Sequence, residues 1–365
     1  MRSRKPAGRP RRVFRKDKGD TGAQRLTEDN WEALLDQHGQ ARKRASDSEL
    51  VEHVGSLSGP DLDDAERAAA AIVMSVSSAR CRVFLDGAEL DVVVPAELAV
   101  RQKSALAVGD RLILSEDAGG WRVQSVLPRR TVLARPDPLH EHVQRLIAAN
   151  VDVVIHVVSL KAPPLRPRLI DRFLIAIQRG GAMPVLCINK VDLLTPDERD
   201  AELTKLEPYL GLGVPIIGCS TKTGEGLDRL RAEVDGRMAA LVGHSGVGKS
   251  SILNGLDQSL QLATNTLHRK RATGRHTTSA STLYDFGGGT YLIDTPGIRE
   301  FGLWDLDRES LRDYFPEFTE ATELCRFTDC THVHEPDCEV KDRVESGQLN
   351  VARYETYVRL WTDLG

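Results

Sequence analysis

The segment GHSGVGKS, residues 243–250, has the residue types and spacing of a loop that holds the phosphates of a nucleoside triphosphate. Its glycines let backbone N–H groups turn inward around the phosphates, and the helix expected after it presents a positive N-terminus to them. Lys249 is expected to bridge the β- and γ-phosphates, and Ser250 to ligate Mg²⁺. The predicted phosphate-binding residues are Gly243, His244, Ser245, Gly246, Val247, Gly248, Lys249, Ser250 and Ser251.

The segment NKVD directly follows an apolar stretch and indicates selection of guanine. It consists of Asn189, Lys190, Val191 and Asp192. An aspartate there accepts hydrogen bonds from N1–H and the 2-amino group of guanine. Adenine lacks that donor pair and would leave a buried carboxylate unpaired. A second base-contacting loop is predicted at the end of the next apolar stretch, at Ser220, Thr221 and Lys222. The predicted ligand is therefore GTP.

A further apolar stretch ends in DTPG, residues 294–297. Asp294 can hold Mg²⁺ through water, and the Gly297 N–H can meet the γ-phosphate. The polar segment between the phosphate loop and DTPG contains Thr277 and Thr278. Either threonine can supply a Mg²⁺ ligand that orders this segment only when a γ-phosphate is present. Ser250, Thr277 and Asp294 form the predicted magnesium set.

Ile298 follows DTPG, at the position where Ras-like enzymes place a water-orienting glutamine. Isoleucine neither donates nor accepts a hydrogen bond, so we expect slow intrinsic hydrolysis and a water-positioning group elsewhere. His276 is the candidate for that catalytic role, beside Lys249, which stabilises charge on the phosphates.

A cluster of cysteine and histidine residues, CRFTDCTHVHEPDC, lies near the C-terminus. Thiolates from Cys325, Cys330 and Cys338 with one imidazole make a closed tetrahedral Zn²⁺ site of structural type. The spacing alone allows either His332 or His334 as the fourth ligand. One structural zinc ion per chain is predicted, and it should stabilise a region with few large apolar residues.

The elements that must position these residues follow a β/α pattern after residue 138. VDVVIHVVSL, at 151–160, is nearly continuous in apolar residues, as a buried parallel strand requires. Several such stretches end in the polar segments described above, and the carboxyl ends of parallel strands are where an open α/β sheet binds ligands.

The order of the segments along the chain is unusual, because the guanine segment at 189–192 precedes the phosphate loop at 243–250. In Ras-like GTPases the phosphate loop comes first. A sheet builds the same site whichever loop is cut, provided that the old termini can be joined. We therefore predict a circularly permuted domain.

Short strands separated by turn residues precede the β/α region. CRVFLDGAELDVVVP alternates on both sides of Asp86-Gly87 and predicts a hairpin. Several such strands without a long helix favour a small OB-like barrel, with an SH3-like barrel as the competitor. Near the C-terminus, helical spacing of apolar residues predicts a helix whose apolar face is Val351, Tyr354, Val358 and Trp361.

The predicted fold class is α/β, a circularly permuted Ras-like P-loop GTPase domain with an N-terminal OB-like β-barrel and a C-terminal zinc-binding domain. The predicted bounds are a basic, disordered extension at 1–65, the barrel at 66–133, the GTPase domain at 134–303 and the zinc domain at 304–365. Residues 1–18 carry nine Lys/Arg and one Asp. Such an arm indicates an anionic partner, of which nucleic acid is the commonest.

These segments, in the order NKVD, STKTGEG, GHSGVGKSS, GRHTT, DTPG, IREFGLWDL and then a Cys/His cluster, resemble those of the bacterial ribosome small-subunit-dependent GTPase A family. The resemblance covers roughly residues 70–365. It implies a circularly permuted GTPase that acts late in small ribosomal subunit maturation, contacts rRNA, and hydrolyses GTP slowly until that subunit stimulates it. The family's ligand spacing also favours His332 over His334.

Two other function classes remain as alternatives. One is a guanine-nucleotide-dependent regulatory switch that binds a protein partner without RNA. The other is an ATP-dependent kinase, which Asp192 disfavours. No apolar region follows the basic start and no run of about 18 apolar residues occurs, so a cytoplasmic location without a membrane partner is predicted. The expected state is a monomer.

Overall fold

The computed structural model describes residues 63–77, 79–95, 106–137, 140–257, 281–295 and 306–364. Within these ranges the chain forms a small closed barrel, a six-stranded sheet flanked by helices, and a helical region around the clustered cysteines. No helix in the described ranges has both the length and the apolar character needed to cross a membrane.

The barrel follows a short helix, α1 (Asp64–Ala69). Its strands are β1 (Ala71–Val76), β2 (Arg80–Leu85), β3 (Ala88–Val93), β4 (Arg111–Asp117) and β5 (Gly120–Val126). They pair in the order β1-β2-β3-β5-β4, and β4 closes on β1. This closed five-stranded arrangement matches an OB-fold and confirms the predicted barrel.

The predicted hairpin joins β2 to β3. Asp86 and Gly87 have φ values of 50° and 81°, and Leu85 pairs with Ala88 across them. Side chains of β2 alternate, with Cys81 and Val83 buried inside the barrel. A two-residue turn with positive φ suits the twist of such strands.

A long antiparallel ribbon, β6 (Val132–Asp137) and β7 (His140–Ala149), leads from the barrel to the sheet. Ala148 also forms a bridge with Val108, next to β4. The first strand of this ribbon includes residues 133 and 134, between which the limit of the barrel and the GTPase domain is predicted. The domain limits stay a prediction.

The sheet contains β8 (Val153–Ser159), β9 (Met183–Asn189), β10 (Ile216–Cys219), β11 (Met238–Val242), β12 (Thr282–Asp285) and β13 (Tyr291–Asp294). Their order is β10-β9-β8-β11-β13-β12, and only β12, at one edge, runs antiparallel to its neighbour. The helices that cover the sheet are α2 (Pro167–Arg179), α3 (Pro196–Leu203), α4 (Leu227–Val234) and α5 (Lys249–Leu256).

The strand order explains how the reversed segments build one sheet. β8, β9 and β10 precede β11 in the chain and lie on one side of it, whereas β12 and β13 follow it and lie on the other. Only residues 235–237 connect α4 to β11, and Gly236 turns there with a φ of 66°. This short connection is where a permuted chain joins its former termini, so the fold is a circularly permuted one.

The C-terminal region has short helices α6 (Thr319–Thr322) and α7 (Glu339–Glu345), followed by α8 (Val351–Asp363). Phe315, Phe318 and Tyr357 form its centre, with ring centroids between 5.2 and 5.4 Å apart. Aromatic rings at these separations contribute beyond the area that they bury.

The helix predicted near the C-terminus is present as α8, but its buried face differs from the expected one. Val351 is 56% exposed. The buried side chains of α8 are Arg353, Thr356, Tyr357 and Leu360. Tyr354, Val358 and Trp361 are only partly buried against the same core. The face is shifted because a charged side chain, Arg353, is buried through pairing with acidic residues.

Candidate nucleotide site and metal centre

Four of the segments predicted to bind nucleotide leave the same edge of the sheet. β9 ends at Asn189, β10 at Cys219, β11 at Val242 and β13 at Asp294, and these strands are parallel. The carboxyl ends of parallel strands form the ligand-binding edge of an open α/β sheet. The topology therefore brings together segments that are far apart in the chain.

The glycine loop, residues 243–248, is pressed closely against its neighbours. Gly243, Gly246 and Gly248 have φ values of 141°, 87° and 99°. A Cβ atom at Gly243 would lie 2.3 Å from the Val157 carbonyl oxygen, and one at Gly248 would lie 2.3 Å from Asn189 Nδ2. Only glycine fits both the backbone conformation and the space at these two positions.

The N-terminus of α5 follows the loop and has no side-chain cap. Its first N–H groups have no partner within the helix, and the helix dipole adds positive potential there. A phosphate group is the ligand that this arrangement favours.

Two lysines cross the glycine loop. Lys249 is 9% exposed, and its Nζ donates to the carbonyl oxygens of Gly243 at 2.7 Å and His244 at 3.3 Å. Lys190 adopts a φ of 64°, and its Nζ donates to the Gly246 carbonyl oxygen at 2.6 Å. Both ammonium groups are thereby held against the loop, where their positive charge would attract the negative charge of a phosphate.

Asn189 joins the guanine segment to the glycine loop. Its Nδ2 donates to the Val247 carbonyl oxygen at 2.9 Å. Its Oδ1 is buried and accepts no hydrogen bond from the described residues. A buried acceptor without a donor costs free energy, so this oxygen marks a position that a ligand's donor would complete.

Asp192 and Ser220 connect the two predicted base-contacting segments. Ser220 Oγ donates to Asp192 Oδ1 at 2.7 Å and accepts from the backbone N–H groups of Lys222 and Thr223 at 3.2 Å. Ser220 is fully buried, whereas Asp192 is half-buried. The serine holds one carboxylate oxygen and fixes the orientation of the group.

The magnesium set is described only in part. Ser250 lies in the first turn of α5, and Asp294 ends β13, whose neighbour β11 carries the glycine loop. Thr295 Oγ1 donates to the Leu241 carbonyl oxygen, which ties the DTPG segment to β11. Hydroxyl and carboxylate oxygens are ligands that Mg²⁺ accepts. Other predicted residues lie outside the described ranges: His276, Thr277, Thr278 and Gly297.

His156 is a residue that the sequence analysis missed. It lies in the middle of β8, is 1% exposed, and stacks on Phe173 with ring centroids 3.9 Å apart. Neither ring nitrogen has a hydrogen-bond partner among the described residues. Burial, together with the smaller effect of the Lys249 charge, lowers the pKa of His156 to about 3. The imidazole is therefore neutral, and its position within an apolar stretch was the available signal.

The cysteine and histidine cluster forms a compact group. Cys325, Cys330, His332 and Cys338 place their ligand atoms within 4.8 Å of one another, and all but the half-buried Cys325 are buried. His332 Nδ1 lies 3.6 Å from Cys325 Sγ and 3.4 Å from Cys338 Sγ. A tetrahedral site with metal–ligand bonds of about 2.1–2.3 Å has edges of about 3.4–3.8 Å. These four residues can therefore hold a metal ion.

His334 is not part of this group, because its side chain is exposed. The His332 ring is oriented by its surroundings, since its Nε2 lies 3.1 Å from Thr322 Oγ1 and its Nδ1 lies near the sulfur atoms of Cys325 and Cys338. Two tyrosines of α8 support the same loop. Tyr354 Oη donates to the His332 carbonyl oxygen at 2.8 Å, and Tyr357 Oη to that of Thr331 at 2.9 Å.

Comparison with known proteins gives consistent matches. The family described as RsgA GTPase matches residues 126–304. A Gemmatimonas aurantiaca protein named small ribosomal subunit biogenesis GTPase RsgA is 40% identical over 262 residues, which are 71% of this chain and 84% of that protein. The Thermotoga maritima protein of the same name is 38% identical over 264 residues, which are 72% and 85% of the two chains.

Two solved structures share the fold. The crystal structure of YjeQ from Thermotoga maritima aligns with a TM-score of 0.65 and 34% identity, covering 80% of this chain and 97% of that one. The structure of YloQ, described as a circularly permuted GTPase, aligns with a TM-score of 0.62 and 26% identity, covering 81% and 94%.

Proposed function

The chain belongs to the RsgA GTPase family and is a GTP hydrolase of ribosome biogenesis, and from that premise we propose that it acts in late maturation of the small ribosomal subunit. Its intrinsic hydrolysis is slow, and the small subunit stimulates it. Its partners are GTP, GDP, and the small subunit with its rRNA. It works as a cytoplasmic monomer without a membrane partner. The basic residues 1–18 fit an RNA partner, although they lie outside the described ranges.

The observation that carries the nucleotide assignment is the direct contact between the guanine segment and the glycine loop, through Asn189 Nδ2 and the Val247 carbonyl oxygen. Asp192 reads the N1–H and 2-amino donors of guanine, and Ser220 orients its carboxylate. Further contacts come from the remaining residues of both base segments: Lys190, Val191, Thr221 and Lys222. Phosphates lie against the loop from Gly243 to Gly248 and against Ser250 and Ser251.

Hydrolysis depends on positioning and charge stabilisation, because phosphoryl transfer needs little covalent chemistry from the protein. Lys249 and the N–H groups at the start of α5 stabilise negative charge on the phosphate oxygens. Ser250, Asp294 and one of Thr277 or Thr278 would hold Mg²⁺, which neutralises charge on the β- and γ-phosphates when bound. His276 positions the attacking water, and Gly297 contacts the γ-phosphate.

The metal of the C-terminal cluster is Zn²⁺, one ion per chain, held by Cys325, Cys330, His332 and Cys338. The set of three sulfurs and one nitrogen supports this choice, since a closed tetrahedral site of that composition suits zinc. Burial raises the pKa of Cys330 to about 12. A cation bound by these sulfur atoms would favour their ionised form and would stabilise the folded C-terminal region.

The experiment that tests the proposal is GTP turnover with and without purified small ribosomal subunits. We expect a slow rate alone and a rate at least tenfold higher with subunits. Lys249→Ala should be slow in both conditions, which shows that the chain itself carries the activity. Equal rates with and without subunits would favour the regulatory switch that binds a protein partner without RNA.

A further inference from the structure

A cleft of about 240 Å³ lies between the barrel and the sheet. It is at the end of the parallel strands opposite to the end that carries the glycine loop. Its sheet side is formed where β11 and β13 begin, next to Met238 and Tyr291. Its barrel side carries two arginines, Arg67 of α1 and Arg111 of β4, and a third, Arg130, comes from the segment before β6. The glycine loop leaves the other end of β11, so this cleft is separate from the nucleotide site.

The barrel and the sheet hold the cleft in shape. Phe84 of β2 meets Tyr291 of β13 edge to face, with ring centroids 6.1 Å apart. Asn150 Oδ1 accepts from the Arg130 backbone N–H at 3.0 Å, and Asn150 Nδ2 donates to the Gly109 carbonyl oxygen at 3.0 Å. Asn150 therefore links the backbone at Arg130 to the backbone at Gly109, in the turn before β4.

Two of the arginines are positioned by backbone carbonyl groups. Arg67 Nη1 donates to the Pro128 carbonyl oxygen at 2.6 Å, and the Arg67 side chain is buried. Arg111 Nη1 donates to the carbonyl oxygen of Ala68 at 3.2 Å, at the end of α1. A carbonyl group fixes a guanidinium without neutralising it, so Arg111 keeps its positive charge at the cleft.

The described residues that line the cleft include three with guanidinium groups and one with a carboxylate, Asp152. That carboxylate already accepts the Met238 N–H at 2.8 Å through Oδ2. Burial lowers the pKa of Arg111, the charges of Tyr291 and Asp152 raise it, and the charges of Arg67 and Arg130 lower it by smaller amounts. Arg111 is thus a cation held by neutral carbonyl groups at the cleft, and a bound anion would be attracted to it.

We propose that this cleft between the barrel and the sheet binds a phosphate group. Guanidinium forks match the spacing of phosphate oxygens, and arginine is favoured where such oxygens are bound in pairs. The wall opposite the arginines is open, because a Cβ atom at Gly236 would meet nothing within 4 Å. The phosphate comes from an RNA backbone, a source that rests on the proposed function, or from a free phosphate compound.

The variant that tests the site is Arg130→Gln, because the Arg130 side chain is exposed and its removal leaves Arg67 and Arg111 in place. The matched control is Arg122→Gln. Arg122 is also an exposed arginine; it lies in the barrel, its Nε is 3.4 Å from Asp117 Oδ2, and it does not line the cleft. Arg130→Lys keeps the charge and should behave like the wild type in salt dependence. All proteins carry GDP and Mg²⁺ at saturation, so that the glycine loop is filled.

The first measurement is the affinity for a labelled 12-nucleotide RNA over a range of salt concentrations. Losing one phosphate contact to single-stranded RNA should reduce the slope of log K against log salt by about 0.7. We expect that reduction for Arg130→Gln and not for Arg122→Gln. This result identifies RNA as the source of the phosphate.

The second measurement is the melting temperature in increasing inorganic phosphate. If the RNA slope is unchanged, but phosphate raises the Tm of the wild type and not that of Arg130→Gln, the ligand is a free phosphate compound. If Arg130→Gln matches Arg122→Gln in both measurements, the proposal is wrong. Stimulation of GTP turnover by small subunits is recorded separately, because its absence in the wild type overturns the proposed function and leaves the phosphate site standing.

Discussion

Arg353 of α8 and Asp171 of α2 form a buried ion pair that ties the C-terminal region to the sheet. The distance from Arg353 Nη1 to Asp171 Oδ1 is 2.7 Å, and the two side chains are 3% and 2% exposed. Arg353 Nε also donates to Glu317 Oε1 at 2.6 Å. The guanidinium lies 4.4 Å from the centre of the Phe315 ring. Burial opposes this charge, yet the hydrogen bonds and charges of Glu317 and Asp171 raise the pKa of Arg353 above its usual value.

Arg353→Met should destabilise the protein by about 3–5 kcal/mol, because it leaves two carboxylates without their cation, one of them fully buried. Urea unfolding measures the loss. Arg168→Met is the control, since Arg168 and Glu355 form an exposed pair at 3.9 Å between the same two helices. That variant should cost less than about 1 kcal/mol. Equal losses would show that the buried pair does not connect the two regions.

Asp192→Asn should shift the nucleotide preference from GTP toward XTP. The amide N–H of asparagine would face the 2-amino donor of guanine, whereas xanthine carries an acceptor oxygen at position 2. A competition assay with both nucleotides measures the preference. Ser220→Ala is the matched variant: it removes the hydrogen bond to Asp192 Oδ1, should weaken GTP binding by about 1 kcal/mol, and should keep the preference for GTP. An unchanged preference in Asp192→Asn would exclude Asp192 as the base-reading residue.

Metal analysis should find about one Zn²⁺ per chain in the wild type. His332→Ala and Cys330→Ala should lose it, whereas His334→Ala should retain it because the His334 side chain is exposed and outside the cluster. Loss of zinc should lower the stability of the C-terminal region, where α8 braces the ligand loop. Nucleotide binding, followed with mant-GDP, should persist. Zinc loss in His334→Ala would contradict this ligand set.

His156 should make the protein less stable in mild acid. Its pKa is about 3 when folded and about 6.5 when unfolded, so only the unfolded chain gains a proton between these values. Stability should therefore fall by about 1.4 kcal/mol for each pH unit below about 6.5. Urea unfolding of the wild type and His156→Leu at pH 8, 7 and 5 checks this. The two should share the same slope between pH 8 and 7, and His156→Leu should lose less at pH 5. Parallel curves throughout would exclude His156 as the source.

Lys249→Ala and His276→Ala should separate two contributions to turnover. Lys249 lies against the glycine loop, so its loss should lower both the basal and the subunit-stimulated rates. His276→Ala should leave GTP affinity nearly intact and remove mostly the stimulated rate. A tenfold loss corresponds to about 1.4 kcal/mol of transition-state stabilisation. Full stimulation of His276→Ala would assign water positioning to another residue or to the RNA.

Local sequence signals predicted the elements whose causes are local. The Asp86-Gly87 turn follows from residue types that tolerate positive φ. The glycine loop follows from spacing, and the permutation from the order of segments along the chain. Two close approaches, at Gly243 and Gly248, explain why those positions carry glycine.

Features that depend on distant partners could not be predicted in the same way. Arg353 was overlooked as a buried residue because its acidic partners lie in other elements. Of the face predicted for α8, Val351 is exposed, whereas Tyr354, Val358 and Trp361 do pack against the core. The spacing of His332 and His334 allowed either as a ligand, and only the fold around Thr322 separates them. His156 was hidden because an apolar strand pattern tolerates a single histidine.

The central position of β8, between β9 and β11, has a consequence for synthesis. Proteins emerge from the ribosome N-terminus first, so β8, β9 and β10 exist before β11 has been made. During that interval β8, whose side chains are all buried in the finished sheet, exposes one edge of unpaired N–H and C=O groups. An apolar open edge is a template for pairing with another chain. The nascent chain is therefore most dependent on shielding by a chaperone between the synthesis of β10 and that of β11.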